Sequence, residues 1–186
     1  FMFPLGISYT CTNLIGNMLG ANMPNKARTY SHAGILFGWI VLSIVYTNFV
    51  LFRHQIVSFY TTDEQVTDLI MAAFPIWAVC VITDLSQGVM GGMLRAMGYQ
   101  SKATLVCVVS YWVIMLPVSY LCGFVLDYGY RGVWIGVPSG SFVLFTVYTF
   151  MIIYAPWKQL AEQASKSESV QIESEFKKLD QLLSED

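Results

Sequence analysis

Five long apolar stretches constrain this chain more than any other feature of its sequence. They cover about residues 1–21, 33–52, 69–94, 103–126 and 133–157. A helix of about 20 residues rises about 30 Å, which is the thickness of the hydrocarbon core of a bilayer. The segments between the stretches are short and polar, and they leave no room for a soluble domain. The sequence therefore predicts an all-α fold, a polytopic bundle of about five transmembrane helices over residues 1–157.

The composition supports a membrane protein, because 55% of the residues are hydrophobic and only 12% are charged. The charge is also segregated, since residues 158–186 hold seven of the twelve acidic side chains. We therefore expect the lipid bilayer to surround the chain. No basic or aromatic pattern indicates binding of nucleic acid. The chain begins at Phe1, inside an apolar stretch without the features of a signal peptide. We therefore expect it to be a fragment of a longer protein.

The basic residues predict the orientation, because cytoplasmic loops are enriched in Lys and Arg. If each stretch crosses the membrane once, one side carries five basic residues and the other side carries two. The first group is Lys26, Arg28, Arg95, Lys102 and Lys158, and the second is Arg53 and Arg131. The sequence thus predicts a multi-pass protein whose C-terminal tail is cytoplasmic. It does not indicate whether the membrane is the plasma membrane or an internal one.

The tail, residues 158–186, permits two interpretations. Its apolar residues recur at spacings of four, three and four, as on one face of an amphipathic helix. They are Ile172, Phe176, Leu179 and Leu183. Its richness in Ser, Glu, Gln and Lys instead favours a solvated and partly disordered tail. We favour the disordered tail over the helix.

Asp84 is the most informative single residue, because it lies in the middle of the apolar run from Leu69 to Leu94. Placing a charge at membrane depth costs about 2.5–3.5 kcal/mol on insertion scales, so such residues usually face protein or water and have a function. The alternative is a neutral carboxylic acid that is hydrogen-bonded to a neighbouring helix. Pro75, in the same run, predicts a kink. Before the run, Thr62 and Asp63 resemble the start of a helix.

Other polar side chains could line a water-filled path together with Asp84. The candidates are Ser8, Asn13, Asn17 and Gln87. Hydrogen bonding between helices is an equally good interpretation of these residues. Gly91 and Gly92 favour close packing against another helix, and Tyr111 is assigned to packing or to the aromatic belt at the interface.

Enzyme chemistry and a metal site are not expected. A membrane-embedded enzyme needs paired acids, a Ser–His pair or a metal-ligand cluster, and the apolar stretches hold one acid and no His. Cys11, Cys80, Cys107 and Cys122 form no CxxC pair, which argues against a metal site or a disulfide framework. No cofactor is expected.

Three motifs resemble one family of membrane proteins. The first is Pro-Leu-Gly-Ile-Ser at Pro4–Ser8, followed by NLIGNMLGANMPNKAR. The second and most specific is DLSQGVMGGMLRAMGYQ, which begins at Asp84. The third is RGVWIGVPSG, which begins at Arg131. In type, order and spacing these resemble the second half of the multidrug and toxic compound extrusion (MATE) transporters.

The resemblance implies helices eight to twelve of a twelve-helix transporter with two lobes, so the N-terminal lobe would be a partner in cis. It also implies antiport efflux of organic cations or other metabolites, driven by H⁺ or Na⁺ through alternating access between the lobes. Asp84 matches the acid on helix ten of that family, while the partner acid on helix seven lies outside this sequence. The alternatives are a related flippase for lipid-linked sugars or polysaccharides, and a truncated membrane protein that interacts without transporting.

Overall fold

The computed structural model describes residues 2–61 and 63–184, and in that part of the chain every regular element is helical. The all-α prediction is therefore confirmed. The α-helices, in chain order, are α1 (Met2–Gly20), α2 (Pro24–Leu51), α3 (Arg53–Tyr60), α4 (Glu64–Ala96), α5 (Gln100–Val108), α6 (Leu116–Tyr120), α7 (Gly129–Ile153) and α8 (Trp157–Ser184). Two π-helical segments, π1 (Val109–Met115) and π2 (Leu121–Val125), join α5 and α6 into one continuous rod.

Three of these helical stretches are long and apolar enough to cross a membrane. They are Pro24–Leu51, Gln100–Val125 and Gly129–Ile153. The two arms of α4, Glu64–Ala78 and Cys80–Ala96, satisfy the same criterion together and would add a fourth. Helix α1 has 19 residues and a length of about 29 Å. The division into five spans stays a prediction.

Two of the polar segments between the apolar stretches are partly helical, since Arg53–Tyr60 forms α3 and α2 begins at Pro24. The polar segment around Pro24 was expected to be a loop, but α2 already begins there, and only residues 21–23 are non-helical. Proline is well suited to the first helical turn, because its fixed φ is helical and its missing N–H has no partner there in any case. Lys26 and Arg28 therefore lie on the first turns of α2.

Helix α4 starts and bends where the sequence predicts. Asp63 is its N-cap, and one oxygen of its carboxylate accepts a hydrogen bond of 2.9 Å from the backbone N–H of Gln65. Thr62, the other residue of the expected cap, lies outside the described residues. The two arms of α4 meet at an angle of 44°. The bend lies between Ala78 and Cys80, about one turn after Pro75, whose missing N–H removes a hydrogen bond from the turn before it.

The helices pack closely through small residues. A Cβ built on Gly92 of α4 would lie 2.9 Å from the carbonyl carbon of Ser8 in α1. A Cβ on Gly136 of α7 would lie 2.6 Å from the backbone of Ser119 in α6. Small residues that let backbones approach closely are typical of helix interfaces in membranes. Gly91 is different, because a Cβ there would meet only a guanidinium nitrogen of Arg95, at 4.0 Å.

The tail forms a helix, α8, which corrects the favoured interpretation of a partly disordered segment. The first turns of α8 are held by packing, since Trp157, Leu160 and Ala161 are buried. These contacts supply the apolar burial that composition alone does not suggest. Farther along, Ile172 and Phe176 are exposed, so the amphipathic face predicted there has no partner among the described residues. The side chains of Leu179 and Leu183 lie outside the description.

Candidate functional site

Asp84 lies in the second arm of α4, about one and a half turns after the bend. Its Oδ1 atom accepts hydrogen bonds from two side chains. One donor is Nε2 of Gln87, three residues later on the same face of α4. The other is the hydroxyl of Tyr111, at 3.1 Å. The carboxylate is therefore held by groups from two helices while remaining exposed on this chain.

Gln87 and Tyr111 also contact each other, because Nε2 of Gln87 donates to the Tyr111 hydroxyl at 2.6 Å. The three side chains form a closed triangle, and we call Asp84, Gln87 and Tyr111 the acid triad. Tyr111 belongs to π1. Single π-helical turns change the register of a helix and are often found at functional sites.

The assignment of Tyr111 to packing or the aromatic belt missed its contact with Asp84. The hydroxyl of a Tyr in the middle of a membrane-spanning segment needs a hydrogen-bond partner, because no water is available there. That requirement could have pointed to a polar partner on another helix. It could not have identified which helix, since the partner is 27 residues away in sequence.

The acid triad changes its hydrogen bonding when Asp84 takes up a proton. An ionised carboxylate only accepts hydrogen bonds, as it does here from Gln87 and Tyr111. A protonated carboxyl also donates one, so a neighbouring group must offer an acceptor. The triad also brings together a carboxylate oxygen and a phenol oxygen, while Gln87 faces both with its amide nitrogen. Oxygen atoms are the preferred ligands of small hard cations. A carboxylate in this arrangement has the chemical groups needed to bind a proton or a cation.

The structure places Ser8 away from the acid triad, inside the contact between α1 and α4. Its hydroxyl donates to the carbonyl of Gly88 at 3.0 Å, and the residue is fully buried. One turn later, Thr12 donates to the carbonyl of Gly92 at 2.9 Å. We call this contact, formed by Ser8, Thr12, Gly88 and Gly92, the glycine seam.

Asn13 and Asn17 are exposed and lie at a different depth from Asp84. Both hydrogen bonds of the glycine seam join residues 80 positions apart, so α1 and α4 run parallel and Asn13 is level with residue 93 of α4. Nine residues along a helix are about 14 Å. The structure thus brings Gln87 to Asp84 but does not bring Asn13 or Asn17 there. The suggestion that Ser8, Asn13 and Asn17 line a cavity stays a prediction.

Arg95 reaches back towards Asp84 along the surface of α4. Its Nη2 donates to the hydroxyl of Ser8 at 2.9 Å. Arg95 is 11 positions after Asp84, which corresponds to about 20° beyond three full turns of the helix, so both side chains project from the same face. Gly91 lies between them on this face and leaves room for the guanidinium. The sequence alone indicates Arg95 only as a basic residue that flanks an apolar stretch.

Comparisons with known proteins agree with these observations. The family described as MatE matches residues 1–121. An uncharacterized transporter of Schizosaccharomyces pombe, C4B3.13, is 29% identical over 161 residues, which are 87% of this chain and 30% of that protein. Protein DETOXIFICATION 29 of Arabidopsis thaliana is 29% identical, over 88% of this chain and 33% of its own length. Multidrug and toxin extrusion protein 2 of Oryctolagus cuniculus is 27% identical, over 92% of this chain and 28% of its own length.

A solved structure has the same fold. The crystal structure of the eukaryotic MATE transporter AtDTX14 superimposes with a TM-score of 0.82 and 23% sequence identity, over 88% of this chain and 37% of that one. The predicted helical membrane bundle is therefore confirmed. The chain spans about a third of the length of the curated relatives that it matches.

Proposed function

The chain belongs to the MatE family, and we propose that it supplies the ion-coupling site of a secondary active transporter that exports organic cations. Members of the family are transporters, which confirms the prediction of a multi-pass membrane protein that is not an enzyme. The observation that carries the proposal is the acid triad, an intramembrane carboxylate with its donors on two helices. The name of the rabbit relative, a multidrug and toxin extrusion protein, supports the choice of substrate class.

In the proposed mechanism, Asp84 holds either a proton or a cation but not both. When Asp84 is ionised, its charge attracts the cationic substrate or a coupling cation. A proton arriving from the other side neutralises the carboxylate, removes that attraction and releases the cation. Exchange of one proton for one monovalent cation moves no net charge, so the pH gradient rather than the membrane potential drives it, with about 1.4 kcal/mol for each pH unit.

Alternating access needs a second lobe, and we propose that it is an N-terminal lobe in cis. Duplicated halves that meet at a site near the midplane are a common transporter design. We further propose that the tail and α8 are cytoplasmic. The five-to-two distribution of basic residues between the two sides supports that orientation.

Transport by the complete transporter in proteoliposomes tests the proposal. An imposed pH gradient should drive uptake of a fluorescent organic cation such as ethidium, and Asp84→Asn should abolish this uptake. Asp68→Asn is the matched control, because it removes an acid from the exposed first turns of the same helix. Repeating the assay with a Na⁺ gradient distinguishes the two coupling ions. Transport by Asp84→Asn with an unchanged dependence on pH would overturn the assignment.

A further inference from the structure

An apolar cavity lies far from the acid triad, where the end of α2, the short helix α3, the first arm of α4 and the start of α7 meet. Its volume is ≈ 320 Å³. That volume is at the lower end of the range for small-molecule sites. Aromatic rings form much of the wall, since Phe49 and Phe74 have ring centroids 5.8 and 5.3 Å from that of Trp77. Trp134 of α7 completes this wall.

Among the residues that the structure describes, Arg53 is the only charged one that lines the cavity beside Trp77. Its guanidinium carbon lies 6.0 Å from the ring centroid of Phe74, and no carboxylate of the described residues lies within salt-bridge distance. The nearby titratable groups His54, Glu64 and Asp68 line a different, polar depression. The cavity therefore combines an apolar interior with one cation that has no anionic partner.

Helix α3 separates these two surfaces because it is amphipathic. Arg53, Ile56, Val57 and Tyr60 line the apolar cavity, at the spacing of one helical face. His54, Gln55 and Ser58 lie on the other side of the helix and line the polar depression. An amphipathic helix that directly follows a candidate span is suited to the boundary between hydrocarbon and headgroups. Phe59, which is 87% exposed, offers a further apolar surface there.

We propose that this cavity binds an anionic phospholipid of the surrounding membrane, with an acyl chain between the aromatic rings and the phosphate on Arg53. The apolar wall suits the acyl chain, and the unpaired guanidinium suits an anionic headgroup. All the lining residues contributed by α4, from Ile70 to Trp77, belong to its first arm, whereas Asp84 belongs to the second. A bound lipid therefore braces the first arm of α4 against α2 and α3.

Photolabelling in nanodiscs tests the proposal. The protein is placed in nanodiscs of phosphatidylcholine that contain a trace of a lipid with a diazirine on one acyl chain and either a phosphatidylglycerol or a phosphatidylcholine headgroup. Labelling of the peptide that contains Phe74 and Trp77 is measured by mass spectrometry. We expect the phosphatidylglycerol probe to label this peptide about fivefold more strongly, since one basic residue near a charged group contributes about 1 kcal/mol.

Three variants make the result specific. Arg53→Gln should remove the headgroup preference but leave labelling by both probes, while Ala73→Trp should fill the cavity and reduce labelling by both. Arg131→Gln is the matched control, because Arg131 is exposed and does not line the cavity. Equal labelling of the unmodified protein by the two probes would overturn the proposal, as would a preference that survives Arg53→Gln. Labelling that is insensitive to Ala73→Trp would place the lipid outside the cavity and would also overturn it.

Discussion

Replacing Gly92 by Ala adds a methyl group to α4 where it meets α1, and it should weaken the contact between these two helices. The new Cβ would lie 2.9 Å from the carbonyl carbon of Ser8, whereas ordinary contacts begin at 3.4 Å. The helices must therefore separate by at least about 0.5 Å at this point, which is the difference between these two distances. The obstacle is backbone, so it cannot rotate away as a flexible side chain can.

The same separation lengthens both hydrogen bonds of the glycine seam. They measure 3.0 Å from Ser8 to Gly88 and 2.9 Å from Thr12 to Gly92, so a shift of this size exceeds the usual range. Overpacking costs about 1–3 kcal/mol, and each hydrogen bond between membrane helices contributes about 0.6 kcal/mol. The expected loss of stability is thus about 2–4 kcal/mol, before the gain in helix propensity of up to about 1 kcal/mol.

Gly91→Ala is the matched control, because it has the same gain in helix propensity and meets only Arg95 at 4.0 Å. Unfolding of both variants is measured by circular dichroism in mixed micelles as the fraction of a denaturing detergent is raised. Gly92→Ala should unfold at a lower fraction than the unmodified protein, and Gly91→Ala at the same or a higher one. Equal midpoints for the two variants would refute the inferred geometry of the seam.

Three further predictions concern other contacts. Gly136→Ala should destabilise the protein by about 1–3 kcal/mol, because its Cβ would meet the backbone of Ser119 at 2.6 Å; Gly6→Ala, with open space around it, is the control in the same titration, and equal effects would contradict the prediction. Asp63→Ala should cost about 0.5–2 kcal/mol through loss of the N-cap, and Asp63→Asn much less. Hydrogen exchange in the first turn of α4 measures this effect, and unchanged protection in Asp63→Ala would count against it. Tyr111→Phe removes the hydroxyl that donates to Asp84, so the pH profile of cation uptake should shift, whereas Trp112→Phe should leave the profile unchanged. An unshifted profile for Tyr111→Phe would exclude Tyr111 from the coupling site.

Local features of the sequence predict much of the fold. The apolar stretches predict helices because a backbone in lipid must satisfy its own hydrogen bonds. Asp63 and Pro75 predict the start and the bend of α4, since capping and the missing proline N–H act within one or two turns. Asp84 stands out because a carboxylate at membrane depth is costly. Each of these inferences depends on residues that are close in sequence.

The partners of Asp84 and the order of the tail depend on contacts between distant residues. Tyr111 lies on π1, which packs against α7, and its side chain reaches across to Asp84; no local pattern specifies that pairing. Arg95 bonds to Ser8 across 87 positions of sequence. Trp157 and Leu160 order the first turns of α8 by burial, which composition does not reveal. The hydrogen-bond partners of Asp84 and Arg95 and the order of α8 therefore depend on long-range packing, which the periodicity of the sequence does not predict.

The position of Asp84 along α4 suggests which parts can respond to its charge. The glycine seam begins one turn after Asp84 and joins α4 closely to α1, so that side is rigid. The bend between Ala78 and Cys80 lies before Asp84, and the first arm beyond it borders the cavity beside Arg53. We therefore expect a change in the charge of Asp84 to move the first arm and the helix that carries Tyr111, while the seam stays in place. In that case, a lipid that braces the first arm opposes the movement, and occupancy of the cavity and the protonation of Asp84 are coupled.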